Sequence, residues 1–510
     1  MTDMDVFLNT PDTSLLLAVT VGILLLITFW RFRSQALYTL PGPSSPWNPL
    51  GTFLQVVKKG ITQYDIECAE KYGKTYGDWM GSVYSIVTTD ADIIREVFVK
   101  EFKVFPNPVF QFKSPHDIQR NALPFIYDYP HWKAVRSIVT PTFSSGKLKR
   151  MSVFMVDSID SVMKNVLTAA DEGRTMEMKE IYGSYTMKVI SAAAFGLDID
   201  TQNEPNHPFI QNSTKAISEI LGNRITVVAK MFPVLKPLTP LIGLVSRPGP
   251  SLQYLDSILT STMKNRRETG DSKRKDLLQL LIEAKLEDSQ VNPQDPTNGG
   301  IAKRDLSDIE IRAQAIVFML AGYETTATTL SFMSYLLANH PDIQRRLCME
   351  IDDVLEGKTP DYVNIQQLPY LEMCLHESMR LFPPILRLSR GAEEDISIKG
   401  HFISKGTGIS VPVYVLHRDP EYWPNPDKFD PERFSPQNQD KNHPFALIPF
   451  SAGPRNCVGK RMALVAAKIA MATVLQKVSF EITAETQVCK VNCVRVVAEY
   501  NNICRGCLSR

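Results

Sequence analysis

The chain has 510 residues, 44% hydrophobic and 22% charged, with a formal net charge of +1. That length holds about three average domains or one large fold, and the neutral balance excludes a nucleic-acid surface or an acidic tail as the organising feature. Eight unevenly spaced cysteines exclude a secreted disulfide framework and fit a reducing compartment.

The first predicted element is apolar. Ser14 to Trp30 (SLLLAVTVGILLLITFW) carries no charge, and as a helix it spans roughly 25 Å, just short of a hydrocarbon core before flanking residues are added. Asp3, Asp5 and Asp12 precede it, while Arg31 and Arg33 follow. The positive-inside bias therefore predicts a lumenal N-terminus with the remaining chain in the cytosol. A cleaved signal peptide would want cations in front and small residues at the cut, so an uncleaved anchor is the reading. It places the Asn212-Ser213-Thr214 sequon in the cytosol, unmodified. Residues 1–33 form the lumenal tip and anchor. Residues 34–51 form a hinge stiffened by Pro41, Pro43, Pro46 and Pro49. Residues 52–510 form the cytosolic globule.

Within the globule, Lys74 to Thr89 alternates β-branched and aromatic residues and predicts one or two strands. From Ala91 to about Thr325 the pattern is mostly helical, interrupted by a polar, Pro/Gly-rich loop from Leu286 to Asp305. Ser307-Asp308-Ile309-Glu310 matches a capping box, and helical periodicity then runs to Asn339, ahead of Pro341. That helix is roughly 48 Å long, enough to cross a domain. Gly400 to Pro420 returns to strand character, Pro and Asp dominate up to Phe434, and a last apolar helix follows Cys457. Helix dominates, with small β-sheets.

The chemistry concentrates at Phe450-x-x-Gly453-x-Arg455-x-Cys457-x-Gly459. Glycines permit tight turns and close backbone approach. Backbone N–H groups and the following helix N-terminus can donate toward the sulfur and keep it ionised. Such a thiolate is a strong axial ligand for haem iron, and Arg455 can reach an anionic group on the same cofactor. The alternative is a buried structural cysteine.

This stretch resembles the haem-binding loop of cytochromes P450, filling every fixed position of that pattern. The resemblance implies the cytochrome P450 fold, haem b ligated by Cys457, and cofactor contacts from Phe450, Arg455 and Gly459. Other motifs follow in the family's order. Glu377 and Arg380 lie at i, i+3 on one helix face, and the resemblance pairs them with Arg433 of PERF as scaffolding for the haem core. It assigns Trp132 and Arg136 to one haem propionate and Arg390 to the other. In AGYETTA, Ala321 to Ala327, Gly322 weakens the helix and the threonines can bond back to the preceding turn. In the family this is the groove that admits O2. Ala321 then borders the haem, and Glu324 with Thr325 forms an acid–alcohol pair that delivers protons.

The implied activity is insertion of one oxygen atom of O2 into a lipophilic xenobiotic, steroid or fatty acid. Electrons come from NADPH through the FAD/FMN cytochrome P450 reductase, with cytochrome b5 as a second donor. The implied location is the endoplasmic reticulum membrane, crossed once and in contact with lipid. A haem-thiolate isomerase of peroxide substrates and a non-catalytic haem sensor are the alternatives. Neither needs the proton pair. TPTFSSGKLK, AGYETT, MRLFP and LHRDPEYW are similar to microsomal family 3 enzymes, the drug- and steroid-oxidising group. Two departures stand out: Phe105 to Gln119 lacks the arginine pair of that group, and Pro384 replaces an apolar residue. Cys504-Arg505-Gly506-Cys507 reads as a tail rather than a zinc or redox site. Lys133, Lys460, Arg461 and Lys468 are candidates for docking an acidic reductase surface.

Overall fold

The computed structural model describes residues 40–43, 51–80, 83–109, 116–197, 206–221, 249–269, 276–284, 305–482 and 505–509, with isolated positions between them. Apart from Gly22, the apolar run 14–30 lies outside the described residues, as does the polar loop up to Asp305. Among the described residues no helix is long and apolar enough to cross a membrane.

Six helices frame the site: α1 (Tyr129–Val139), α2 (Ser145–Asp171), α3 (Met178–Ile190), α4 (Asp308–Asn339), α5 (Pro369–Leu381) and α6 (Lys460–Leu475). Helix α4 starts where its capping box predicts. The Glu310 N–H donates to Ser307 Oγ at 3.4 Å and the Ser307 N–H to Glu310 Oε2 at 2.8 Å. Its 32 residues are buried on most sides, because α3 runs along it and α5 and α6 pack on it as well. A helix apolar all round belongs at the centre of a large core.

The sheets are small. Strands β1 (Thr75–Met80) and β2 (Val83–Thr88) pair antiparallel, as the alternation of that segment predicts. Strand β3 (Thr175–Glu177) belongs elsewhere, while β4 (Arg387–Gly391) pairs antiparallel with β7 (Gly408–Pro412), which runs parallel to β2. The resulting order is β1-β2-β7-β4. Strands β5 (Ile396–Ile398) and β6 (His401–Ile403) form a hairpin. Strand β8 (Ser479–Ile482) pairs with β9 (Arg505–Ser509), which also pairs with β3. Cys507 therefore lies in a strand, opposite Thr175 and Glu481, rather than in a loose tail.

One further local reading changes. Strand character was expected through Pro420, but Val413–Leu416 forms a helical turn. The ladder ends at the Arg387–Pro412 pair. The turn instead buries His417, whose Nε2 accepts the Ile448 N–H at 3.0 Å. The start of the proline-rich segment lies on the sheet. Gly77 N–H donates to the Pro41 carbonyl at 3.1 Å and Leu40 N–H to Tyr84 Oη at 3.0 Å.

Candidate haem-binding site

The Cys457 loop is held by its own backbone. Cys457 N–H donates to Phe450 O at 2.9 Å and Asn456 N–H to Gly453 O at 3.0 Å. Gly453 has φ +72°, and a Cβ there would lie 1.8 Å from the Phe98 carbonyl oxygen, so both conformation and space require glycine. Gly459 is different: its φ is −85°, and a Cβ would rest 4.0 Å from Cys457 Sγ, an ordinary contact. Cys457 is exposed, whereas Cys68 and Cys374 are buried and Cys348 is half-buried. Burial by the surrounding protein pushes its thiol up. The Gly459 N–H, the Arg136 charge, and the Lys460 N–H and charge pull it back without reversing the shift. A coordinated cation would complete the deprotonation. Helix α6 begins at Lys460 and packs on α4, which ties the loop to the long helix.

Three arginines converge beside this loop. Arg136 of α1 donates to the Asn456 carbonyl at 2.9 Å and to Asn456 Oδ1 at 2.8 Å, so it braces the loop. Trp132, one turn earlier and buried, underlies Arg455, whose Cζ sits 4.4 Å from the ring centroid. Arg455 Nη2 donates to Asn107 Oδ1 at 2.7 Å and to Ile126 O at 2.9 Å, while its Nε has no partner. Arg390 of β4 is 5% exposed and lies over the Phe98 ring at 4.5 Å. Only its Nη1 is bonded, to Ser389 O at 2.9 Å; Nε and Nη2 have no partner. Burial lowers the Arg390 pKa to about 10. Burial and then repulsion from Arg390 lower that of Arg455 to about 9. Buried cations with unspent N–H donors are costly without an anion. The two carboxylates of haem b fit this set, with Cys457 two residues from Arg455 as the iron ligand.

The middle of α4 opens at Ala321, an exposed residue in a mostly buried helix. A Cβ on Gly322 would lie 2.8 Å from Ile190 Cδ1 of α3, so glycine lets the two helices close there. Thr325 Oγ1 donates back to Ala321 O at 2.7 Å. Glu324 turns away from it, and its Oε1 accepts from Lys179 Nζ at 2.6 Å. Adjacent residues on a helix do not share a face. The two members of the expected pair are therefore not bonded to each other. Lys179 also donates to Thr328 Oγ1 at 2.6 Å, and its side chain is 8% exposed. Burial lowers its pKa while Glu324 raises it. Seven residues on along α3, Thr186 Oγ1 donates to the Tyr323 carbonyl at 3.1 Å. The sequence reading missed Lys179. The available signal was one cation in the otherwise apolar face of a buried helix.

The scaffold triad assembles as the resemblance implies. Arg380 donates through Nε to Glu377 Oε2 at 2.6 Å and through Nη2 to Oε1 at 2.8 Å, and both side chains are fully buried. Arg433 Nε reaches Glu377 Oε1 at 3.3 Å, beside the Asp430 N–H at 2.9 Å. One docking candidate drops out. Lys468 is 3% exposed and its Nζ is spent on Glu372 at 2.7 Å, so it offers no free charge to a partner.

Residues 41–501 match the family model described as Cytochrome P450. Similar proteins include cytochrome P450 3A7 of Homo sapiens, 39% identical over 94% of this chain and 92% of the relative. Cytochrome P450 3A9 of Rattus norvegicus is 38% identical over 95% of this chain and 94% of its own. Cytochrome P450 3A5 of Homo sapiens is 38% identical over 94% and 92%.

Proposed function

This chain belongs to the cytochrome P450 family and is a haem monooxygenase, and on that premise we propose its setting and the roles of its residues. It works at the endoplasmic reticulum membrane, held by the apolar run 14–30. It oxidises lipophilic xenobiotics or steroids with NADPH electrons passed on by a flavoprotein reductase. The observation that carries the site is the set of unspent N–H groups on Arg390 and Arg455 beside the exposed Cys457.

The thiolate-ligated haem, when bound, activates O2 for transfer of one oxygen atom to substrate. The chain does the rest. Cys457 supplies the ligand sulfur. Arg390 and Arg455 hold the carboxylate edge of the cofactor and are neutralised by it. Ala321 and Gly322 keep the groove in α4 narrow on the α3 side and open on the other. Thr325 presents its hydroxyl oxygen in that groove, and Glu324, restrained by Lys179, is the carboxylate that relays protons toward it. A hydroxyl and a carboxylate held apart can exchange protons through ordered water without flooding the site.

The test uses the full-length protein in membrane vesicles with the reductase, a panel of steroids and drug-like compounds, and isotopically labelled O2. Substrate-dependent NADPH oxidation with one labelled atom in the product is expected. Conversion of organic peroxides without NADPH would make the protein an isomerase, and haem binding without any turnover would make it a sensor. In Cys457→Ser the reduced carbon monoxide complex should lose the red-shifted Soret band of a thiolate. Its persistence would remove Cys457 as the ligand.

A further inference from the structure

The stretch Phe105 to Gln119 carries no arginine, yet Asn107 within it is 2% exposed and lies at the site. Its backbone is pinned to the end of β4, where Gly391 N–H donates to Asn107 O at 2.8 Å. Its side-chain amide is spent in three directions. Nδ2 donates to Tyr127 O at 2.9 Å and to Glu393 Oε1 at 2.7 Å, and Oδ1 accepts from Arg455 Nη2 at 2.7 Å. Only one amide orientation is allowed. A flip would set two donors against the guanidinium and an oxygen against a carbonyl and a carboxylate. Ile126 O takes Nη2 as well, and the Trp132 ring supports the face of the guanidinium at 4.4 Å. These contacts leave the Arg455 Nε without a partner.

We propose that Asn107 is a positioning residue for cofactor retention: it aims the Arg455 guanidinium at an anionic carboxylate of the bound haem. The proposal rests on the haem-binding reading given above. A neutral amide therefore contributes to the site from this segment. It does so by fixing one arginine rather than by adding charge to a site where Arg390 and Arg136 already repel Arg455. Glu393, behind the amide, gives the anchor its polarity: its charge orders Nδ2 and so turns Oδ1 toward Arg455.

The experiment measures the rate of haem loss from full-length holoprotein to an excess of a haem-scavenging globin, in a double-mutant cycle. Asn107→Leu should lose haem about tenfold faster, as expected for deleting a hydrogen bond to a charged group. In an Arg455→Gln background the same change should add less than about twofold, because the residue it acts through is gone. A purely structural asparagine would accelerate loss equally in both backgrounds, and that result overturns the proposal. Asn107→Asp made together with Glu393→Gln keeps the acceptor facing Arg455 and gives the second carboxylate oxygen a donor, and should retain haem much better than Asn107→Leu. If both lose it alike, the acceptor is not what matters and the proposal fails. Should Asn107→Leu not accumulate as holoprotein, the aspartate variant and the Arg455→Gln pair of measurements decide on their own. Absence of a thiolate signature in the unaltered protein would instead overturn the haem reading itself.

Discussion

Lys179 Nζ lies 2.6 Å from Glu324 Oε1 and 2.6 Å from Thr328 Oγ1, so one buried cation of α3 holds an acid and a hydroxyl of α4 at the oxygen groove. The Lys179 side chain is 8% exposed and that of Glu324 is 32% exposed. The pair is thus dry at the cation and partly open to solvent at the acid. Lys179→Met should cost about 1–2 kcal/mol in denaturant unfolding, between the values for exposed pairs and for fully buried ones because Glu324 retains solvent. Haem content should stay normal while product formed per NADPH falls. Lys179→Arg should restore most of the coupling, and equal coupling in all three proteins would show that Glu324 needs no restraint.

Thr325→Val keeps the side-chain shape and removes the hydroxyl that bonds Ala321 O. Helix α4 should tolerate the loss, because intrahelical back-bonding contributes little to helix stability. Substrate-binding spectra and haem reduction should therefore be unchanged. Product per NADPH should drop about tenfold as hydrogen peroxide rises, the scale set by one missing hydrogen bond at the reacting centre. The three quantities measured together check it.

Arg390→Met should act in opposite directions on two measurements. Replacing a buried cation that has two unspent N–H groups with an apolar chain should stabilise the haem-free protein by about 1–3 kcal/mol against denaturant. The holoprotein should lose haem faster, because a carboxylate of the cofactor has then lost its cationic partner. A variant that changes both measurements in the same sense would show that Arg390 is simply structural.

His417 supplies an acid-sensitive term. Burial, then the Arg380 and Arg418 charges, depress its pKa to about 3, against an ordinary value of about 6.5 when unfolded. Between those values the unfolded chain binds a proton that the folded chain refuses. Its contribution to stability is complete above the unfolded pKa and falls with pH by about 1.4 kcal/mol per unit for this one group. Denaturant midpoints measured from pH 7 to pH 4 should therefore decline less steeply in His417→Gln than in the unaltered protein. Parallel declines would mean that other groups carry the acid response.

What could be read without coordinates was chemistry packed into a few consecutive residues. The Cys457 loop announces itself because its glycine turn, its cation and its sulfur are neighbours in the chain. Ser307 and Glu310 predict the start of α4 because a capping box closes within one turn. Helix dominance and the β1–β2 pair follow from periodicity, which is also a local quantity. The resemblance carried the Glu377–Arg380–Arg433 cluster, and its i, i+3 half was visible as a spacing. What periodicity could not say is which face meets which. Lys179 finds Glu324 across 145 residues, Arg136 finds Asn456 across 320, and Asn107 finds Arg455 across 348. None of these pairs leaves a trace in the spacing of its own segment. Lys468 reads as a surface cation until Glu372 covers it, and Val413–Leu416 reads as strand until burial of His417 turns it into helix. In each case the deciding term is the desolvation of a polar group, and its sign depends on the partner that packing brings within hydrogen-bond reach.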